Sequence, residues 1–259
     1  MLAVTSFCAL IGLLIGSFLN VVIYRVPRGE SVNHPRSHCP GCNTEISARD
    51  NIPVLSWLLL RGRCRHCGEP ISVRYPAVEI LTAVVFAAFA AKFGASWVLP
   101  AYLYLAAIGI VLAFIDYDTQ RLPNVITLPS YVVVPVLLLL PAAVDGLWPD
   151  YLRAIAGGAI LYAFYFLLVF IYPAGMGFGD VKLAGVLGLY LGWLGWGALA
   201  VGAFLGFLLG GLGGIALMIF TRAGRKTKIP YGPYMIAGAF VAIFIGQPIA
   251  NWYTATLGL

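Results

Sequence analysis

Gly175-Met176-Gly177-Phe178-Gly179-Asp180-Val181-Lys182 sets a carboxylate and an ammonium at the mouth of a long apolar run, after three glycines in five positions. Glycine admits backbone conformations closed to other residues and lets neighbouring groups approach closely. A charge beside a bilayer is costly, so an ionisable residue there points first to function. Alone, Asp180 could equally be a helix cap just outside the membrane. A second carboxylate at the same depth changes that balance, and Asp116, at the end of another apolar run, is such a group.

The apolar runs themselves set the fold class. The chain of 259 residues is 61% hydrophobic and only 10% charged, with a mean hydropathy of +0.92. Soluble domains carry roughly 25% charged residues, so the composition specifies a polytopic membrane protein. Residues 1–24 form a first span; lacking a basic start and a small-x-small cleavage site, they do not read as a signal peptide. Residues 25–75 are polar and rich in arginine and proline, the one stretch large enough for an extramembrane domain. Further apolar runs follow at about 76–91, 98–115, 125–143, 152–172, 183–196, 197–220 and 234–250. The expected architecture is therefore all-α, with about eight transmembrane helices and a small extramembrane domain. The run 183–196 is short and is expected to tilt little or stop within the bilayer, and Pro129 and Pro135 are expected to kink the fourth span.

Orientation follows from the basic residues. With 25–75 in the cytoplasm, that side collects Arg25, Arg28, Arg36, Arg49, Arg61, Arg63, Arg65, Arg74, Arg121, Lys182, Arg222, Arg225, Lys226 and Lys228. Only Lys92 and Arg153 fall on the other side, so the positive-inside rule is met and both termini face outward. The net charge of +6 thus follows membrane topology and does not imply nucleic acid. In this topology Asp116 ends the third span and Asp180 begins the sixth, both on the cytoplasmic side. Two facing aspartates cannot both ionise cheaply. They share a proton, one acting as general base on water and the other as general acid, which is the logic of aspartic proteolysis. Asp118 offers a second candidate, but residues two apart on a helix point to different faces, so only one of Asp116 and Asp118 should meet Asp180.

The polar segment carries its own signature. Cys39-Pro40-Gly41-Cys42 and Cys64-Arg65-His66-Cys67 form two C-x-x-C pairs, the spacing of a tetrahedral four-cysteine zinc site. A reducing cytoplasm argues against two disulfides. A loop of this size with few large apolar side chains gains from a metal what its core cannot supply. His34, His38 and His66 read as surface residues, because four cysteines already complete the shell, and Cys8 as a small lipid-facing or packing residue.

Taken together, the blocks resemble the type IV prepilin peptidases, the bifunctional leader peptidases and N-methyltransferases of pilus assembly and type II secretion. The resemblance is carried by 16–25 (Gly-Ser-Phe-Leu-Asn-Val-Val-Ile-Tyr-Arg), 35–42 and Arg74-Tyr75-Pro76-Ala77-Val78-Glu79. It continues through 116–124, Gly177-Phe178-Gly179-Asp180 and Lys228-Ile229-Pro230-Tyr231-Gly232-Pro233, in the family's order over nearly the whole length. It implies catalytic aspartates at Asp116, six residues before Leu122 of the Leu122-Pro123 pair, and at Asp180 of the G-x-G-D motif. Asn124 stands where many relatives have aspartate. The family's substrates are prepilins and pseudopilins with a short basic leader, cut after its terminal glycine. Many members then methylate the new N-terminal residue from S-adenosylmethionine. The resemblance thus implies an enzyme of the bacterial inner membrane, in contact with lipid, with 25–75 as a metal-binding segment associated with methyl transfer and 76–259 as the peptidase.

Several readings stay open at this level. No glycine-rich nucleotide loop marks a donor site, so the methyl-transfer reading rests on the four-cysteine loop. Glu79 is either a contact for substrate or cofactor or an interhelical hydrogen bond, and Lys182 either tunes Asp180 or anchors at the interface. Arg222, Arg225, Lys226 and Lys228 are expected to face anionic lipid. Ala198, Gly202, Gly206, Gly210 and Gly214 recur every four residues, a small-residue face expected to pack within the chain, with a dimer contact as the alternative. The rival readings are a peptidase without methylation and a small proton-coupled transporter. Against the transporter, the acids lie at one membrane face and not at the midplane, where such sites sit.

Overall fold

Apolar residues on every side of a run leave an α-helix as the structure that satisfies its backbone in lipid. The computed structural model, which describes residues 1–173, 175–220 and 229–256, follows that rule. Its long helices are α1 (Leu2–Arg25), α3 (Arg74–Phe93), α4 (Leu99–Thr119), α5 (Asn124–Val144), α6 (Trp148–Ile171), α7 (Phe178–Leu194), α8 (Trp196–Phe220) and α9 (Gly232–Thr256). A short α2 (Leu55–Leu59) lies in the polar segment, and no β-strand occurs among the described residues. Seven of the long helices are long and apolar enough to cross a membrane. The eighth, α7, has 17 residues. At 1.5 Å per residue it reaches about 25 Å, short of the roughly 30 Å hydrocarbon core.

The chain forms two compact units, Met1–Val111 and Leu112–Leu259. In the first, α1 packs along α3 through glycine: a Cβ on Gly12 or Gly16 would come within 2.7 Å of the Ala83 or Glu79 backbone. Cys8 is buried, a packing residue. Phe89, Phe93 and Tyr102 stack at the far end of this unit, with the Phe93 and Tyr102 rings 4.1 Å apart.

In the second unit α7 is the central helix, in contact with α5, α6, α8 and α9. It is hydrophobic all round and buried from Asp180 to Trp193 except at Lys182, as a helix without a polar face must be. Glycines set its distance from α6: a Cβ on Gly188 would lie 2.5 Å from the Gly157 carbonyl oxygen, and one on Gly192 2.7 Å from that of Arg153. Arg153 closes the far end, its guanidinium donating to the Gly192 and Trp193 carbonyls while pairing with Asp150. The small-residue face of α8 packs within the chain, as expected. A Cβ on Gly202 would meet Leu191, one on Gly210 the Tyr231 ring, and one on Gly238 of α9 the Gly206 backbone. Helix α5 runs unbroken through Pro129, Pro135 and Pro141. Arg222, Arg225, Lys226 and Lys228 lie outside the described residues.

Candidate functional site

Two constellations stand out, one in each unit. In the second, Asp116 lies on the last turns of α4 and Asp180 at the third position of α7. Both are buried, at 4% and 8% exposure, whereas Tyr117 and Asp118 face outward. The helix period has therefore separated the two acids of Asp116-Tyr117-Asp118 and turned only Asp116 inward. Each buried carboxylate is fastened by a glycine N–H. Gly232, at the start of α9, donates to Asp116 Oδ2 at 2.9 Å, and Gly177 donates to Asp180 Oδ2 at 3.1 Å. The cap reading of Asp180 holds: one oxygen accepts the Gly177 N–H and closes the first turn of α7. The second oxygen of each acid has no hydrogen bond among the described residues.

Glycine at 232 has a steric reason. A Cβ there would stand 2.8 Å from Asp116 Oδ2, inside contact distance, so any side chain would move the carboxylate. Lys182 does not pair with Asp180; its ammonium donates to Asn124 Oδ1 at 2.8 Å and lies over the Phe178 ring. Two tyrosines that sequence reasoning passed over meet in the same unit: the hydroxyls of Tyr165 on α6 and Tyr231 before α9 lie 3.5 Å apart, against Gly206 of α8. Tyr231 sits inside a quoted sequence block, but nothing in the sequence pairs it with a residue of α6.

In the first unit the four cysteines converge. Cys39, Cys42, Cys64 and Cys67 place their sulfurs within 4.8 Å of one another, and Cys39 Sγ lies 3.7 Å from Cys67 Sγ. Metal–sulfur bonds of about 2.3 Å in a tetrahedron put ligand sulfurs about 3.8 Å apart, so the cluster has the spacing of a metal centre. The same turn builds both halves. Cys39 N–H donates to the Thr44 carbonyl and Cys64 N–H to that of Glu69, while Asn43 and Gly68 take positive φ at the matching position. His38 bridges to Glu45 and Arg63 to Pro70, closing each turn. The histidines at 34, 38 and 66 are exposed and outside the cluster.

Electrostatics agree with a cation at this place. Hydrogen bonds from the Thr44 side chain and backbone hold the Cys42 thiol down at about 6. At Cys67 the Glu69 backbone bond acts in the same direction, but burial and the other three thiols push it up to about 12. Four thiolates this close repel one another, and a divalent metal supplies the missing positive charge. Asp50 and Arg65 pair at 2.6 Å, tying the turn at 48–50 to the second cysteine pair; the guanidinium holds the Asp50 carboxyl below the usual carboxylate range.

The rest of this unit bears on the open readings. Glu79 is buried at 7% exposure and accepts the Val54 N–H at 2.7 Å, a hydrogen bond within the chain that joins α3 to the polar segment. Arg25, counted from sequence only as a topological charge, is buried and donates to the Ser31 and Pro35 carbonyls, ordering the loop after α1. Beside it opens a cleft of about 500 Å³ with Leu14 and Phe18 at its apolar end and Asn33, Arg36 and Glu45 among its polar lining.

Comparison with known proteins follows the same division. Residues 10–93 match the model of the bacterial peptidase A24 N-terminal domain, and residues 103–246 that of the type IV leader peptidase family. A protein of Aeromonas hydrophila named prepilin leader peptidase/N-methyltransferase is 39% identical over 96% of this chain and 93% of its own length. Proteins of the same name from Neisseria gonorrhoeae and Stutzerimonas stutzeri are 37% and 35% identical, each over 95% of this chain and 93% and 92% of their own lengths. No solved structure gives a significant match. With a family model over more than half its length and relatives of this identity along nearly all of it, the chain belongs to the type IV leader peptidase family.

Proposed function

We propose that this protein is a membrane-embedded aspartic peptidase that removes the leader of prepilins or pseudopilins after glycine and then N-methylates the new N-terminus. The observation that carries the reading is the pair of inward-turned carboxylates, Asp116 and Asp180, each held by a glycine N–H with one oxygen left over. A water between the two free oxygens loses its proton to the ionised acid as it attacks the scissile carbonyl. The protonated acid delivers its proton to the leaving amine. Family membership replaces the transporter reading, since nothing in it calls for proton movement across the bilayer.

The metal is assigned as zinc, held by Cys39, Cys42, Cys64 and Cys67, because four thiolates in a tetrahedron suit a closed structural zinc site. Its role is to join the two cysteine turns of a segment with little core of its own. S-adenosylmethionine, when bound, supplies an electrophilic methyl group. The cleft beside Arg25 has room for such a molecule, with Asn33 and the Arg36–Glu45 ion pair, closed at 2.8 Å, in its polar lining. The peptide amine must be held there unprotonated and in line, a demand on position more than on acid–base chemistry. The cytoplasmic side of the bacterial inner membrane is assigned to 25–75, to Asp116 and to Asp180 from the distribution of basic residues.

The test is an epitope-tagged prepilin followed on a gel. Wild-type protein should release the leader, and Asp116→Asn or Asp180→Asn should each leave it in place; normal processing by either variant sinks the dyad. Membrane-impermeant thiol labelling of single cysteines at Arg61 and Lys92 should report opposite sides, and same-side labelling would reject the orientation.

A further inference from the structure

We propose that residues 52–60, within the polar segment between α1 and α3, lie in an anionic lipid–water interface, with the leucines of α2 among the acyl chains and Arg61 and Arg63 on lipid headgroups. This goes beyond the peptidase and methyl-transfer readings and depends on neither.

The stretch Ile52-Pro53-Val54-Leu55-Ser56-Trp57-Leu58-Leu59-Leu60 has an apolar side chain everywhere except at Ser56, and it is too short to span. Its structure has two faces. On one, Ser56 Oγ donates to the Arg49 carbonyl and accepts the Ile52 N–H, and Trp57 Nε1 donates to the Ile71 carbonyl beside the second cysteine turn. On the other, Leu55, Leu58 and Leu59, spaced as neighbours on a helix surface, are 49%, 59% and 72% exposed. A contiguous exposed apolar face marks an interaction site.

Depth identifies the partner. Val54 takes a φ of +60°, rare for a β-branched residue, and its N–H reaches Glu79 Oε2 at 2.7 Å. Glu79 stands five residues into α3 from Arg74, about 7 Å along the axis. Even with the Glu79 side chain turned back toward the helix start, this bond holds Val54 level with the first turn of α3. Asn20 donates to the Tyr75 carbonyl at 3.1 Å, which sets that turn in register with Asn20 of α1. Helix α1 runs on through Val21, Val22, Ile23 and Tyr24 to Arg25, about 7 Å further out. Both helices are long and apolar enough to cross a membrane. The start of α2 is thus fastened inside the basic rim of the spans, where α1 is still apolar. The cleft beside Arg25 agrees: Asn51 and Pro53 line it together with Leu14, Ser17 and Phe18, all further into α1 than Asn20.

Charge selects the lipid. Arg61 and Arg63 follow the leucines directly, are exposed and have no carboxylate partner among the described residues. Leucines toward the acyl chains with guanidinium groups beside them suit an interfacial segment on anionic lipid. Because Trp57 ties α2 to the second cysteine turn and Pro53 walls the cleft, this seat fixes both at the membrane surface.

The experiment uses the wild-type chain in nanodiscs of mixed phosphatidylglycerol and phosphatidylcholine, each carrying a diazirine high on its acyl chain. After illumination, peptide mapping should find lipid adducts on 55–59 at a yield comparable with that on Phe18 and Tyr24 of α1. Phosphatidylglycerol should be favoured by about 5-fold for each arginine, and Arg61→Gln with Arg63→Gln should abolish that preference while the adducts remain. Photo-leucine in place of leucine probes from the protein side and should link positions 55, 58 and 59 to lipid. No lipid adduct on 55–59 while Phe18 and Tyr24 carry them overturns the proposal. So do photo-leucine products joining 55–59 to a second copy of the chain or to another protein. An unchanged preference in the double variant overturns the assignment of the headgroups to Arg61 and Arg63.

Discussion

Asp116 and Asp118 stand two residues apart on one helix, and their fates differ by a half-turn. Asp116 is buried against the Gly232 N–H, and Asp118 is exposed. Asp118→Asn is therefore expected to keep most cleavage activity, where Asp116→Asn removes it. An essential Asp118 with a dispensable Asp116, read on the same prepilin gel, would shift the site by two residues. The support is as sensitive as the acid. Gly232→Ala puts a Cβ 2.8 Å from Asp116 Oδ2 and must push the carboxylate aside. A displacement approaching 1 Å costs on the order of 100-fold in rate, so initial rates for Gly232→Ala should fall by about that much with little change in thermal midpoint. Rates within threefold of wild type would show that the carboxylate finds the same place without its glycine.

Helix α7 presents no polar face, and its partners approach on glycine, so its stability lies in close backbone contact. Gly188→Leu would drive a side chain into the Gly157 carbonyl at the α6–α7 contact, far along the helix from Asp180. Overpacking of this kind costs about 3 kcal/mol, seen as an earlier thermal transition in detergent; an unshifted transition would mean that α6 and α7 can separate freely. The cysteine turns obey a different logic. Their segment is tied by the Asp50–Arg65 pair and by short backbone bonds, and the sulfurs repel unless a cation joins them. Purified protein should carry about one zinc per chain. Removing it with a strong chelator, or changing Cys64 to Ser, should open 25–75 to protease while the helices stay intact by circular dichroism. Less than a tenth of an equivalent of metal under chelator-free handling would count against the site.

At the scale of the whole chain the two constellations belong to different units, the cysteines to Met1–Val111 and the aspartates to Leu112–Leu259. If methyl transfer uses the first unit and hydrolysis the second, the activities separate. Asp116→Asn should still methylate a pre-cleaved pilin peptide and should bind S-adenosylmethionine in equilibrium dialysis as wild type does. Disrupting Cys64 or Cys67 should weaken methylation at least as much as cleavage. Mass spectrometry of the first residue of the mature pilin reads the outcome. An unmethylated product from the intact protein, with the methyl donor present, would reduce the chain to a peptidase alone.

Much of this was legible in the sequence, because lipid leaves a chain few options. Apolar runs of spanning length must be helices, so their number and order follow from composition, and the shortness of α7 was visible in the short run at 183–196. The four metal-binding candidates follow from C-x-x-C spacing, since turns that bring two thiols together are local. The choice of Asp116 over Asp118 was already implied by the resemblance, through its spacing from Leu122, whereas which of the two is buried is a matter of tertiary packing. The hydrogen bonds of Arg25, Glu79 and Lys182 needed tertiary packing as well, because each ends on an acceptor or donor from a different segment: Ser31 and Pro35, Val54, Asn124. The Tyr165–Tyr231 pair was illegible for the same reason. Its hydroxyls meet only because α8 offers Gly206 and Gly210 beside them, and a contact made by the absence of side chains on a third helix leaves no pattern in the order of residues along the chain.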